Sequence, residues 1–142
     1  VLKDDGLGAS SVALGGNSPR LLAHLLNHFG SSLFAYKPSA IVTYSAGQWG
    51  GTRAAVNMRT FLSELGCLPV SAMIHLPKAQ DILTETGDFA EGIDPAAWQG
   101  YFGRTLAQLE RWAAGARGQR TDEGIPAAAP AFSRDPSQRN AP

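Results

Sequence analysis

The 142-residue sequence predicts an α/β domain built on a parallel sheet. Three observations predict it. A β-branched and apolar run, Ile41-Val42-Thr43-Tyr44, passes through the glycine-rich stretch Ser45 to Gly51 straight into a helical pattern. A second short apolar run, Val70 to Leu76, lies beyond that helix and is bracketed by Pro69 and Pro77. A helix of about a dozen residues between two strands is a βαβ unit, which requires the strands to be parallel.

In chain order, residues 1–17 are rich in glycine and serine, and their short apolar piece, Val12-Ala13-Leu14, allows at most a short strand. Ser18-Pro19 then opens a helix, because serine caps free amides and proline at the first helical position wastes no N–H. Leu21, Leu22, Leu25, Leu26 and Phe29 give it one apolar stripe, and Gly30 stops it. Pro38 introduces the strand at about residues 39–45. Beyond the glycine loop, Ala54, Met58, Phe61, Leu62 and Leu65 mark the next helix, which Gly66 ends.

Residues 78–92 read as a long polar loop. Asp94-Pro95 starts a last helix, with Trp98, Tyr101, Phe102, Thr105, Leu109 and Trp112 on an aromatic-rich face expected to be core or interface. After Ala113 large apolar residues nearly vanish, so residues 115–142 are expected to form a disordered tail. The organisation expected is a divergent segment 1–17, a domain 18–114 and that tail.

Composition narrows the function classes. Hydrophobic residues make up 44% and charged residues 17%, and twelve basic residues balance twelve acidic ones. That balance gives no electrostatic footprint for nucleic acid. No apolar run reaches the ~20 residues needed to span a bilayer. One cysteine, Cys67, excludes an internal disulfide framework and suits a cytoplasmic location.

The loop Ser45-Ala46-Gly47-Gln48-Trp49-Gly50-Gly51 carries the functional expectation. It would sit at the carboxyl end of a parallel strand, where open α/β sheets bind ligands. Its glycines admit a ligand to the backbone, Ser45 and Gln48 offer polar side chains, and Trp49 offers a ring face. An ordinary tight turn explains the glycines equally well. The loop is not a Walker sequence, because no Gly-Lys-Ser/Thr follows, and it is not G-x-G-x-x-G. A serine-hydrolase role for Ser45 is weak, since the loop is not G-x-S-x-G. His24 and His28 stand four apart on one helix but have no third ligand nearby, so no metal site is expected.

Residues 37–65, KPSAIVTYSAGQWGGTRAAVNMRTFLSEL, resemble the fourth strand, flavin loop and following helix of the NADPH-dependent FMN reductase family. GCLPVSAMIHLPKAQ, residues 66–80, resembles that family's fifth strand, and LLAHLLNHFG, residues 21–30, its preceding helix. The resemblance implies a flavodoxin-like three-layer sandwich, incomplete at the N-terminus. It implies FMN and NADPH as cofactors, homodimers or tetramers, and hydride transfer from NAD(P)H to flavin and on to a quinone or similar acceptor. It places Ser45, Ala46, Gly47, Gln48 and Trp49 beside the flavin ring, with Gly50 and Gly51 shaping the turn and Arg53 structural or near the cofactor. No catalytic acid or base is required of a side chain.

The sequence departs from the family in two places. The Ser/Thr-x-Arg phosphate loop has no counterpart, and the Pro-Glu-Tyr-Asn motif is replaced by residues 12–19, VALGGNSP. The alternative is therefore a truncated, non-catalytic homologue or fragment that acts through association with a full-length partner.

Overall fold

A computed structural model describes residues 22–24, 26–28 and 34–122. The expected strand at Val12–Leu14, the Ser18-Pro19 cap and the Gly30 stop lie outside these residues, as do residues 123–142. The elements are β1 (Pro38–Ser39), β2 (Val42–Tyr44), α1 (Thr52–Glu64), β3 (Leu68–Pro69), β4 (Ile74–Leu76), α2 (Ala79–Ile82) and α3 (Pro95–Asp122). Residues 22–24 and 26–28 are helical. The fold is α/β with parallel pairing, as the βαβ pattern requires.

The single expected sheet is instead two two-stranded parallel sheets among the described residues, β1 with β3 and β2 with β4. The division has a local cause. Pro38 pairs with Leu68, but Val42 pairs with Ile74, so the second chain segment gains two residues between the ladders. Ser39 and Val42 are separated by Ala40 and Ile41, whereas Pro69 and Ile74 are separated by residues 70–73. Backbone groups freed by this slip need other partners.

Side chains from both helices supply them. Arg59 of α1 donates to the carbonyls of Val70 at 2.8 Å and Pro69 at 3.3 Å. Gln108 of α3 accepts from the Ser71 hydroxyl at 2.9 Å and the Ala72 N–H at 3.2 Å. Tyr101 of α3 donates its hydroxyl to the Met73 carbonyl at 3.3 Å and accepts from the His75 N–H at 2.9 Å. Arg59→Ala strips two carbonyls of a charged donor at once. It is expected to cost about 1–3 kcal/mol of folding stability, read from urea unfolding.

α1 ends as Gly66 predicts. Gly66 takes φ 77°, its N–H reaches the Ser63 carbonyl at 2.9 Å, and the Cys67 N–H reaches Leu62 at 2.9 Å. This paired 5→2 and 6→1 arrangement is the Schellman motif. The core around it joins Leu26, Phe34, Met58, Leu65 and Cys67, with Leu22, Phe61 and Leu62 packed alongside. Leu22 and Leu26 of the expected leucine stripe therefore face this chain's own core. Burial among these residues pushes the Cys67 thiol above its usual range.

α3 begins as Asp94-Pro95 predicts, with the Asp94 carboxylate accepting the Ala96 N–H at 2.9 Å. It then departs from expectation twice. The helix continues to Asp122, past the end expected after Ala113. Trp112, expected on the packed face, is 62% exposed, and the buried line is Thr105, Leu109 and Ala113. Trp98, Tyr101 and Phe102 are half-buried and pack on one another, with Trp98 edge-on to Tyr101 at 5.8 Å. The polar stretch before α3 is also more ordered than a plain loop. It holds α2 and an antiparallel bridge between Leu83 and Phe89.

Candidate functional site at the end of β2

β2 runs into its loop with the Ser45 N–H donating to the Leu76 carbonyl at 3.1 Å, the last rung of the ladder. The chain then reverses through Gly50 and Gly51, whose φ values are 55° and 79°. A Cβ on Gly50 would stand 2.9 Å from the Pro77 nitrogen and 3.0 Å from Leu76 backbone atoms. One on Gly51 would stand 3.0 Å from the Thr43 Cβ. Both glycines are thus demanded by conformation and by close neighbours, the β4 exit for Gly50 and Thr43 of β2 for Gly51, independently of any ligand.

The loop's carbonyls are turned toward that exit. Ser45 accepts from the Ala79 N–H at 3.0 Å, Gly47 from the Lys78 N–H at 3.1 Å, and Ala46 from the Gln80 amide at 3.4 Å. The Ser45 hydroxyl donates to the Gly47 carbonyl at 3.0 Å. Among the described residues no histidine is bonded to it. By contrast, none of the N–H groups of residues 46–49 finds an acceptor among the described residues. The carbonyls of Ser45, Ala46, Gly47 and Trp49 are thus engaged within the protein while those donors are not.

A cavity of about 610 Å³ opens on this surface, lined by Ser45, Ala46, Gly47, Trp49 and Gly51 of the loop and by Thr52, Arg53 and Ala54 of the first helical turn. Trp49 is 71% exposed. Gln48 is exposed but off the cavity, and Gly50 is buried beneath the Leu76–Pro77 turn. Arg53, left open between two roles by the sequence, lies in the lining. Thr52 and Ala54 were missed because neither carries a motif; only the advance of a helix from the loop puts them there.

Residues 13–81 match the family model of NADPH-dependent FMN reductase. That stretch, just under half of the chain, is similar to the family. It contains β1 through β4, α1 and the whole glycine loop, and ends within α2. Searches of curated proteins and of solved structures return no match to the chain. At family level the match supports FMN reductase-like oxidoreduction with FMN and NADPH.

The residues present fit the ring of such a cofactor. An isoalloxazine ring has an acceptor-rich edge and two apolar faces, and the loop offers a row of unpaired donors beside an exposed indole. For a phosphate, Arg53 is the cation that lines the cavity. Among the described residues no three His, Cys, Asp or Glu side chains come together to hold a metal, and His24 and His28 are both exposed. No described helix is long and apolar enough to cross a membrane.

Behind the loop lies a second polar link that sequence spacing does not reveal. Thr43, 3% exposed, donates its hydroxyl to the Gly50 carbonyl at 2.7 Å, and the same oxygen lies 2.7 Å from His75 Nδ1. Burial holds the His75 pKa below its ordinary 6.5. Since the unfolded chain then binds the proton more readily, His75 weakens folding as pH falls below 6.5 and through the lowered folded-state value. Stability measured from pH 8 down to pH 5 should therefore fall more steeply for the wild type than for His75→Phe.

Proposed function

We propose that the Ser45–Gly51 loop and the first turn of α1 form the ring-side wall of a flavin site in an NAD(P)H-dependent FMN reductase-like oxidoreductase. The observation that carries this is the row of N–H groups from Ala46 to Trp49, left without internal acceptors inside the segment that matches the family. In the bound state FMN would supply the redox chemistry, accepting a hydride from NAD(P)H and returning electrons to a quinone or similar acceptor.

The chain's own task is to bind and orient. Ala46, Gly47, Gln48 and Trp49 contribute backbone donors, which favour electron density on the ring edge they face. The Trp49 indole covers apolar surface and excludes water. Gly50 and Gly51 hold the turn, and Arg53 offers a cation toward the anionic part of the cofactor. No side chain of the loop is needed as acid or base. One reduced, buried thiol, Cys67, accords with work in the cytoplasm. Recording the visible spectrum of the purified chain with added FMN, before and after NADPH under anaerobic conditions, tests the proposal. Retained flavin that bleaches with NADPH supports it, and a colourless protein that takes up no flavin removes it.

A second reading has one observation in its favour. β2 pairs only with β4 among the described residues, so its other edge has no strand beside it there. Central parallel strands are normally paired on both sides. A non-catalytic homologue that acts by association with a full-length flavoprotein, or a homodimer or tetramer, would meet that need. Sedimentation of the chain alone and with such a partner separates these cases.

A further inference from the structure

A cleft away from the loop cavity is lined by His75 and Pro77 of β4 and its exit and by Ala97, Trp98 and Tyr101 of α3. Its volume is about 340 Å³, the lower end of the range for small-molecule sites and room for a ligand of one ring. We infer that this cleft binds a small uncharged aromatic alcohol of the phenol class, whose hydroxyl donates to His75 Nε2 while its ring lies against Trp98 and Tyr101.

The polarity of the site follows from the hydrogen bonds behind it. Thr43 has a single hydroxyl proton, and that proton goes to the Gly50 carbonyl, which can only accept. Toward His75 the Thr43 oxygen must then accept, so Nδ1 carries the ring proton. Neutral imidazole with its proton on Nδ1 leaves Nε2 as a bare acceptor. No partner for Nε2 exists among the described residues. Burial, which disfavours the charged ring, keeps this neutral form dominant near neutrality.

The other polar group at the cleft is already spent. Tyr101 accepts from the His75 N–H and donates to the Met73 carbonyl, so it offers the cleft a ring face and no free proton. Trp98 stands edge-on to Tyr101, its ring plane turned 77° away, giving two walls at an angle. Pro77 and Ala97 complete the lining with apolar surface, and no lining residue bears a formal charge when His75 is neutral. Arg104 lies over the Tyr101 ring at 5.8 Å without lining the cleft, and an apolar ring without a donor leaves Nε2 unpaired. A ring bearing one O–H satisfies both requirements.

Phenol itself is the probe, with anisole as its counterpart lacking the donor. Titration into the full chain is followed by the imidazole C–H resonances of His75 and the indole N–H of Trp98, assigned by His75→Phe and Trp98→Phe. Saturable movement of both signals by phenol is expected, with anisole about tenfold weaker. In His75→Phe, phenol should fall to the anisole level, circular dichroism confirming the fold. Equal binding of phenol and anisole by the wild type overturns the inference, even if the variant fails to fold. So does phenol that leaves the His75 and Trp98 signals unmoved.

Discussion

Gly50→Ala should lower folding stability by about 2–5 kcal/mol. The backbone there has φ 55°, a left-handed conformation that costs an L-residue roughly 1–2 kcal/mol. The added carbon also meets the Pro77 nitrogen at 2.9 Å and Leu76 backbone atoms at 3.0 Å. These are backbone atoms of the turn leaving β4, and Leu76 also accepts the Ser45 N–H, so relief requires breaking the last rung of the ladder. Overpacking of this kind typically adds roughly 1–3 kcal/mol. Urea unfolding measures the sum. A variant within about 0.5 kcal/mol of the wild type, the usual range for inert surface changes, would contradict the tight packing of loop against strand exit.

Gly47→Ala should do the opposite: leave the fold intact and weaken FMN binding by at least about tenfold. Its Cβ would meet nothing nearer than the Ser45 Oγ at 3.8 Å, and its φ is outside the left-handed range. Stability should therefore change by no more than about 0.5 kcal/mol. The methyl would nevertheless stand in the lining of the loop cavity, beside the unpaired donors. A gap of even ~1 Å forfeits a quarter to a half of the dispersion energy of a contact. Holding a flat ring off the backbone would also lengthen each N–H bond to it. Flavin fluorescence quenching gives the affinity. Unchanged binding with an unchanged fold would mean that the ring does not lie on this loop.

The pair of glycines separates what the sequence makes legible from what it does not. The stretch Ser45 to Gly51 announces a turn, but its letters do not distinguish a glycine required by packing from one facing open space. Gly50 and Gly47 differ in backbone φ and in the closeness of residues 76–77, which come from another strand. Punctuation that acts locally reads well. Gly66 as the end of α1 and Asp94 as the cap of α3 each depend on a few neighbouring residues, and both stand as expected.

What depends on distant partners was hidden. The two-residue slip between the β1–β3 and β2–β4 ladders is made tolerable by Arg59, Tyr101 and Gln108, none of which has a recognisable spacing to residues 69–75. His75 and Thr43 meet because their strands pair in register, and their sequence separation has no motif to mark it. The end of α3 was misplaced for a different reason. Gly115 and Gly118 suggest a break, each costing about 1 kcal/mol relative to alanine. The neighbouring Ala114, Ala116 and Arg117 are strong helix formers, and the helix continues through to Asp122. Trp112 stands seven residues from Thr105, near its face, but the buried line steps by four through Thr105, Leu109 and Ala113 and turns away from Trp112, which is exposed.

The central claim is that the backbone donors of Ala46, Gly47, Gln48 and Trp49 face a flavin ring. Amide-resolved NMR of the whole chain during titration with FMN tests it most directly. Saturable shifts in the amides of residues 46–49 and in the Trp49 indole are predicted, with the amides of the Leu83–Phe89 bridge unmoved. Flavin that binds without disturbing those four amides, or that fails to bind at all, would contradict the account.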